Sequence, residues 1–414
     1  MKYDLDKHHI MRPRILMLGA SEAQMVAIER AKALGMYVIT VDNRPDNPGH
    51  ALSDAFYNVS TVDIEGIFMV AQKERIDGII SYASDPGALT AAVVADRLGL
   101  PCDPPHAVVI AQDKLLLREQ QLRLGHPIPR FVDADDYNAL KSIWSDTTDG
   151  LVVKPTDRAG SIGVQIFNQK PNLEQLENAI AYARSQSIKK RVIVESRIQR
   201  DGLQFGCDYI FNEGVLLYAS YADQHQYRTE STEAGMGNLV PSSHTPVVLQ
   251  NATKQICQLV ASIGLRSGIY NTDMIVSRGR VYLLDFGARL GGNMLGEVHR
   301  LATGVDYTQV ALDIAFGKKP SINPFATHSN AGHLVLHANS TGILTHLELS
   351  PELRRHVVLE LRSKIVGDMV NPYRSTQDRL GILILQSDDR SALEDIYRDP
   401  IPHFNLKIEP IICA

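Results

Sequence analysis

Residues 268–293 read Gly-Ile-Tyr-Asn-Thr-Asp-Met-Ile-Val-Ser-Arg-Gly-Arg-Val-Tyr-Leu-Leu-Asp-Phe-Gly-Ala-Arg-Leu-Gly-Gly-Asn. Two β-branched and aromatic runs flank Ser277-Arg278-Gly279, the pattern of a hairpin. A three-residue loop with Gly279 in its left-handed last position predicts that Val276 pairs with Arg280. Counting outward, Asp273 then faces Leu283 and Asp285 faces Asn271. Side chains alternate along a strand, so Asn271 and Asp273 share a face and both carboxylates project to it, a diagonal step apart. A two-residue loop would shift the register by one and separate them. Hard oxygen ligands of this kind, few in number, suit a Mg²⁺ that phosphate oxygens also hold. Two carboxylates on a solvated sheet face are the alternative. Arg289 and Gly291-Gly292-Asn293 follow directly, a cation and then a backbone that a ligand can approach closely, and they favour a site.

Upstream, Leu151–Pro155 and Val164–Asn168 read as strands joined by a loop containing Ala159-Gly160-Ser161-Ile162-Gly163. Two glycines and a serine let backbone N–H groups turn towards phosphate oxygens, and Lys154 adds a point charge. The strand–loop–strand setting and the lack of Gly-x-x-x-x-Gly-Lys-Ser/Thr distinguish this from a P-loop; a flexible hairpin tip is the alternative. Val192–Val194 runs into Glu195-Ser196-Arg197-Ile198, a carboxylate at a strand end followed by chain able to read an adenine edge. Gln204 and Asp208 are weaker candidates.

Residues 14–112 alternate strands (Arg14–Leu18, Tyr37–Val41, Ile76–Ser81) with helical patterns, which predicts a parallel sheet with ligands at the carboxyl ends of its strands. The first turn lacks Gly-x-Gly-x-x-Gly, which argues against a dinucleotide site. The turns after Gly19, Asp42 and Ser81 are candidate walls of a shared cleft, with Asp85 the leading contact and a plain helix cap the alternative. Leu100-Pro101 and Pro104-Pro105 mark an exit, and Asp113–Leu124 reads as a helix. Beyond about residue 328, short strands and helical pieces such as Ser391–Arg398 predict a small α+β lobe.

The chain has 414 residues, 44% apolar and 21% charged, enough for two or three domains. A formal charge of −5 with no basic cluster gives no sign of nucleic-acid or membrane-surface binding. Cys102, Cys207, Cys257 and Cys413 form no Cys-x-x-Cys pair, so a reducing compartment is the default. Met1–Arg14 lacks the apolar core of a signal peptide and no stretch approaches a membrane span, which predicts a cytoplasmic protein.

The ordered set Asp113-Lys114, Lys154-Pro155, Ala-Gly-Ser-Ile-Gly-Val, Glu195, Asp273 and Asp285-Phe-Gly-Ala-Arg289-Leu-Gly-Gly-Asn resembles the ATP-grasp superfamily, closest to its carboxylate–amine ligases and their relatives in purine biosynthesis. The resemblance implies an α/β chain with a Rossmann-like domain at 14–112, a two-lobed α+β ATP-grasp domain at 113–327 and a C-terminal α+β lobe at 328–414. It implies that Lys114 and Lys154 hold the phosphates of ATP. Ser161 and Gly163 would belong to the loop that closes over them. Glu195, Ser196, Arg197 and Ile198 would take the adenine and Gln204 the ribose, and Asp273 and Asp285 would bind Mg²⁺. Arg289 would stabilise the reacting phosphoryl or carboxylate group, with Lys154 assisting. The segment Glu233–Pro241, with Gly237, takes the place of a substrate loop; Asp85 and Asn293 are further substrate candidates.

Three departures stand out. Asp replaces the frequent Glu at both metal positions, Gly287 stands where many relatives carry Asn, and Gln204 replaces a ribose-contacting Glu. The implied reaction phosphorylates a carboxylate and joins it to an amine, with small-molecule partners and a homodimeric assembly. A formate-activating enzyme or carboxylase, and a nucleotide-binding regulator without turnover, are the alternatives.

Overall fold

A computed structural model describes residues 12–228, 233–327 and 329–410. Most of the Met1–Arg14 stretch and Cys413 therefore lie outside the described residues. The first sheet is parallel, ordered Ala55–Asn58, Tyr37–Asp42, Arg14–Leu18, Gly78–Ile80. Parallel sheets need both faces covered, and the strand sequences supply apolar residues to both. Leu16, Leu18, Ile39 and Val41 pack on Ile67, Val70 and Val94, while Ile15, Met17 and Val38 pack on Ala27, Ile28 and Val310.

A second, four-stranded antiparallel sheet runs Phe131–Asp133, Val192–Ser196, Leu151–Pro155, Gln165–Ile166. Helices Tyr137–Asp146 and Leu173–Gln186 cover it, burying Ile143, Leu176, Ile180 and Ala183 against Leu151, Val153, Val192 and Val194.

The largest sheet has eight antiparallel strands in the order Arg280–Gly287, Gly268–Ser277, Gln204–Asn212, Val215–Arg228, Glu233–Val240, Asn330–Leu336, Gly381–Ser387, Val357–Arg362. Three of these strands come from the stretch read as a C-terminal lobe, so the sheet runs without a break across residue 328. A smaller sheet of Met369–Val370, Gly342–Leu349 and Phe404–Glu409 packs beside it. Among the described residues no helix is long and apolar enough to cross a membrane.

The hairpin at 268–287 differs from its expected register. Arg278 and Gly279 have φ of +50° and +69°, the two left-handed centres of a two-residue type I′ turn. Ser277 pairs with Arg280, where a three-residue loop would pair Val276 with Arg280. The turn is tied down by Asp201, which accepts from Gly279 N at 3.1 Å and whose own N–H bonds Val276 O at 2.8 Å. Taken alone, that turn would separate the two carboxylates. It does not, because Leu284 is an extra residue between the pairs Met274↔Leu283 and Asp273↔Asp285. This bulge shifts the register by one more residue and so restores the shared face, with Asp273 directly opposite Asp285 instead of diagonal to it.

Candidate active site

The parallel sheet, the four-stranded antiparallel sheet and the eight-stranded sheet border a cleft of about 1180 Å³. Asp273 and Asp285 lie on its wall, facing each other across two strands. Asp273 accepts from Gln224 Nε2 at 2.5 Å, and Lys114 Nζ lies 3.1 Å from Asp285 Oδ2. Burial, with Asp285 opposite, pushes the Asp273 carboxyl up to about 6 against the pull of Gln224, Arg289 and Lys114. Two carboxylates that resist joint ionisation fit a divalent cation between them. Among the described residues no third His, Cys, Asp or Glu completes a metal cage. A site with two protein carboxylates and room for other oxygens matches the habit of Mg²⁺, which keeps waters and binds phosphate.

Lys114 opens helix Lys114–Arg123, capped by the buried Asp113, whose Oδ1 accepts from Leu115 N at 3.1 Å. This cap aims Lys114 across the cleft floor, where Nζ also donates to Arg158 O at 2.7 Å. Lys154 is buried and pairs with Glu195 at 2.7 Å. Burial lowers its ammonium below the usual range, helped by Arg118 and Lys114, despite the attraction of Glu195. Glu195 is gripped from its other side by Arg118 Nε at 2.7 Å. Its carboxylate is thus fully engaged, and Ser196 N and Arg197 N donate to Arg130 O at 2.8 Å and Gly150 O at 3.1 Å, which leaves the Ile198 end of this backbone segment to meet a ligand. Ser196, Arg197, Ile198 and Gln204 line the cleft, with Gln204 donating to Gln224 at 2.6 Å.

Ser161, at φ +62°, donates to Glu233 O at 3.2 Å, and Gly160 packs against Thr376, so the glycine-rich loop rests on the largest sheet. Gly163 belongs to the same loop. It lies outside the cleft lining, and a Cβ there would meet Pro155 Cγ at 2.7 Å and Gln186 Cβ at 2.9 Å. Its φ of +77° shapes the loop from behind. Gly237 sits within strand Glu233–Val240, where the sequence suggested a substrate loop. It too lies outside the lining, and a Cβ would strike His333 O at 2.3 Å and Tyr397 Cε1 at 2.5 Å. Close strand and ring packing accounts for that glycine.

Arg289 and Asp85, read separately in the sequence, form one ion pair at 2.5 Å; Arg289 also donates to Asn271 Oδ1 at 3.2 Å. Gly287 stands beside them. A Cβ there would lie 3.2 Å from Arg289 Cζ and 3.3 Å from Asp85 Oδ1, so a longer side chain would intrude on the pair. Asn293 lines the cleft and accepts from Arg379 Nη1 at 3.1 Å.

Sequence reasoning missed three residues and underrated a fourth. Arg118 carried a signal, being one helical turn from Lys114 and so on the same face. Gln224 and Arg379 carried none, because their strand and loop meet the cleft only through the sheet order. Asp208 was rated weak, yet it is fully buried and accepts from Asn271 Nδ2 at 3.0 Å, Gly291 N at 2.9 Å and His299 Nε2 at 2.9 Å. It anchors the start of the Gly291-Gly292-Asn293 turn.

Residues 111–293 match the ATP-grasp domain family. The chain is 22% identical over 348 residues to carnosine synthase 1 of Mus musculus, covering 76% of this chain and 41% of that protein. It is 24% identical over 332 residues to the formate-dependent phosphoribosylglycinamide formyltransferase of Saccharolobus solfataricus, covering 76% and 80%. The chain thus spans about two fifths of the mouse carnosine synthase it matches. Among solved structures it resembles the L-amino acid ligase of Bacillus licheniformis, with a TM-score of 0.80, 18% identity, and 96% and 99% of the two chains covered.

Proposed function

We propose that the chain, whose residues 111–293 match the ATP-grasp domain family, is an ATP- and Mg²⁺-dependent ligase that activates a carboxylate as an acyl phosphate and joins it to an amine. The observation that carries this reading is the Asp273–Asp285 pair with Lys114 against it, on the wall of a cleft that also presents Arg289. Asp273 and Asp285 would hold Mg²⁺, which when bound with nucleotide neutralises charge between phosphate oxygens and the attacking carboxylate. Lys114 and Lys154 add positive charge at the cleft floor, and the backbone at the Ile198 end of Ser196–Ile198 takes the adenine edge. Arg289 orients the reacting carboxylate or phosphoryl group with its planar fork. The loop carrying Ser161 shields the reactive acyl phosphate from water until the amine attacks, giving amide, ADP and phosphate.

The names of two similar proteins, carnosine synthase and L-amino acid ligase, support amide formation between small molecules. A second reading draws on the formate-dependent enzyme matched over 80% of its length: the acid would be formate or another one-carbon acid. Incubation with ATP, Mg²⁺ and pools of amino acids, formate or bicarbonate, with and without amines, separates the two. ADP and phosphate should form in step with amide. Release of AMP and pyrophosphate rejects the acyl-phosphate route, and nucleotide binding without turnover in every pool favours a regulator. We further assign the protein to the cytoplasm and to a homodimer; the unpaired Cys102, Cys207 and Cys257 suit a reducing compartment.

A further inference from the structure

Helix Lys114–Arg123 turns two cations, one turn apart, towards strand Arg280–Gly287. Lys114 reaches the Asp285 side chain, while the fully buried Arg118 reaches the backbone just before it. Arg118 Nη1 donates to Leu283 O at 3.1 Å and Nη2 to Leu284 O at 2.8 Å. Successive carbonyls of a regular strand point to opposite edges, so one side chain does not ordinarily take both. They converge here because Leu284 is the extra residue of the bulge. Without that bulge Leu284 would oppose Asp273, and Asp285 would turn to the far face.

We propose that Arg118 is a positioning residue that holds the Leu284 bulge and thereby keeps Asp285 opposite Asp273. The guanidinium is committed on every side. Nε donates to Glu195 Oε1 at 2.7 Å and Nη1 also donates to Gln121 Oε1 at 2.7 Å. Gln121 in turn donates to Leu283 O at 3.3 Å, so it braces the same carbonyl. A buried fork with four acceptors fixes the bulge in one geometry, which a lysine's single ammonium cannot reproduce. The same group links Glu195, beside the adenine-reading segment, to the carboxylate pair.

The inference rests on the ligase reading in one respect, that Asp273 and Asp285 hold the metal. The test is Mn²⁺ affinity, read from the paramagnetic resonance of free Mn²⁺ with ADP saturating each protein. Arg118→Lys keeps the charge beside Glu195 but loses the fork. It should weaken Mn²⁺ binding by about tenfold or more, the usual cost of losing support behind a metal ligand. The Mg²⁺ concentration for half-maximal turnover should rise in parallel, and kcat should recover at high Mg²⁺, which a general loss of packing would not produce. Gln121→Met loosens the same grip without changing charge and should shift Mn²⁺ affinity in the same direction by less. If circular dichroism shows Arg118→Lys unfolded, Gln121→Met decides alone. Parental Mn²⁺ affinity in a folded Arg118→Lys, or in Gln121→Met where that variant decides, overturns the proposal. Absence of Mn²⁺ binding by the parent protein with ADP instead removes the metal site itself, and this inference with it.

Discussion

Asp273 is held where its charge is costly, and the cost has a definite pH dependence. Its carboxyl is raised from 3.8 to about 6 by burial and by Asp285. Between those values the folded protein binds a proton that the unfolded chain has released, so stability falls as pH rises from 3.8 to about 6 and is level above. At 1.36 kcal/mol per pKa unit the penalty above pH 6 amounts to about 3 kcal/mol at most. Asp273→Asn should therefore stabilise the ligand-free protein at pH 8, with the gain shrinking to nothing below pH 4, as read from denaturant midpoints. The same change should lower turnover at least about tenfold, since it removes a charge proposed to face Mg²⁺. A stability profile parallel to the parent at every pH would contradict the buried pair. Lys154 teaches a related lesson about single residues. The sequence places it at a strand end, where a lysine usually reaches solvent, whereas the fold buries it against Glu195. Nothing local to either residue announces that contact.

At the scale of elements, the hairpin shows what the sequence carried and what it withheld. Alternation and composition identified both strands and the shared face of Asp273 and Asp285. The route to that face was misread, because turn length and bulge compensate each other. A two-residue turn moves the register by one, and Leu284 moves it one further in the same direction, which brings the two carboxylates back to one face. The bulge depends on Arg118 from a distant helix, so no local pattern signals it. The turn itself yields a prediction. Arg278 is exposed at φ +50°, a conformation that costs most L-residues about 1 kcal/mol or more and that Asn tolerates. Arg278→Asn creates Asn-Gly, the preferred type I′ pair, and should raise stability by about 0.5–1 kcal/mol without touching activity. In a three-residue loop Arg278 would occupy a right-handed position and the exchange would bring no gain. Thermal unfolding of the single variant distinguishes the two turns.

At the scale of the whole molecule, the order of motifs along the chain was legible, and so was the parallel sheet that precedes them, because its strands are continuous apolar runs. The sheet that carries strands from both sides of residue 328 was not, since antiparallel neighbours far apart in sequence leave no trace in either segment. That topology decides how Arg289 is used. Arg289 follows an edge strand of the largest sheet, Asp85 opens helix Asp85–Leu98 against the parallel sheet, and their 2.5 Å pair ties the two together across the cleft. One arginine thus serves as a structural tie and as the proposed grip on the reacting group, and the two roles predict different mutants. Arg289→Lys keeps a charge for Asp85 but loses the bidentate fork, and should lower kcat by about 10²–10³ with far less change in ATP affinity, because the grip strengthens as charge develops in the transition state. Asp85→Asn weakens the tie while leaving the guanidinium whole and better able to meet an incoming carboxylate; its kcat should stay within about 20-fold of the parent, the loss of one charge-assisted bond being about 1.5 kcal/mol or somewhat more. If Arg289 were only a tie between the two sheets, both substitutions would reduce turnover alike and in proportion to their effect on thermal stability. Equal losses in the two variants would therefore remove Arg289 from the reacting centre, whereas a deep loss in Arg289→Lys alone places it there.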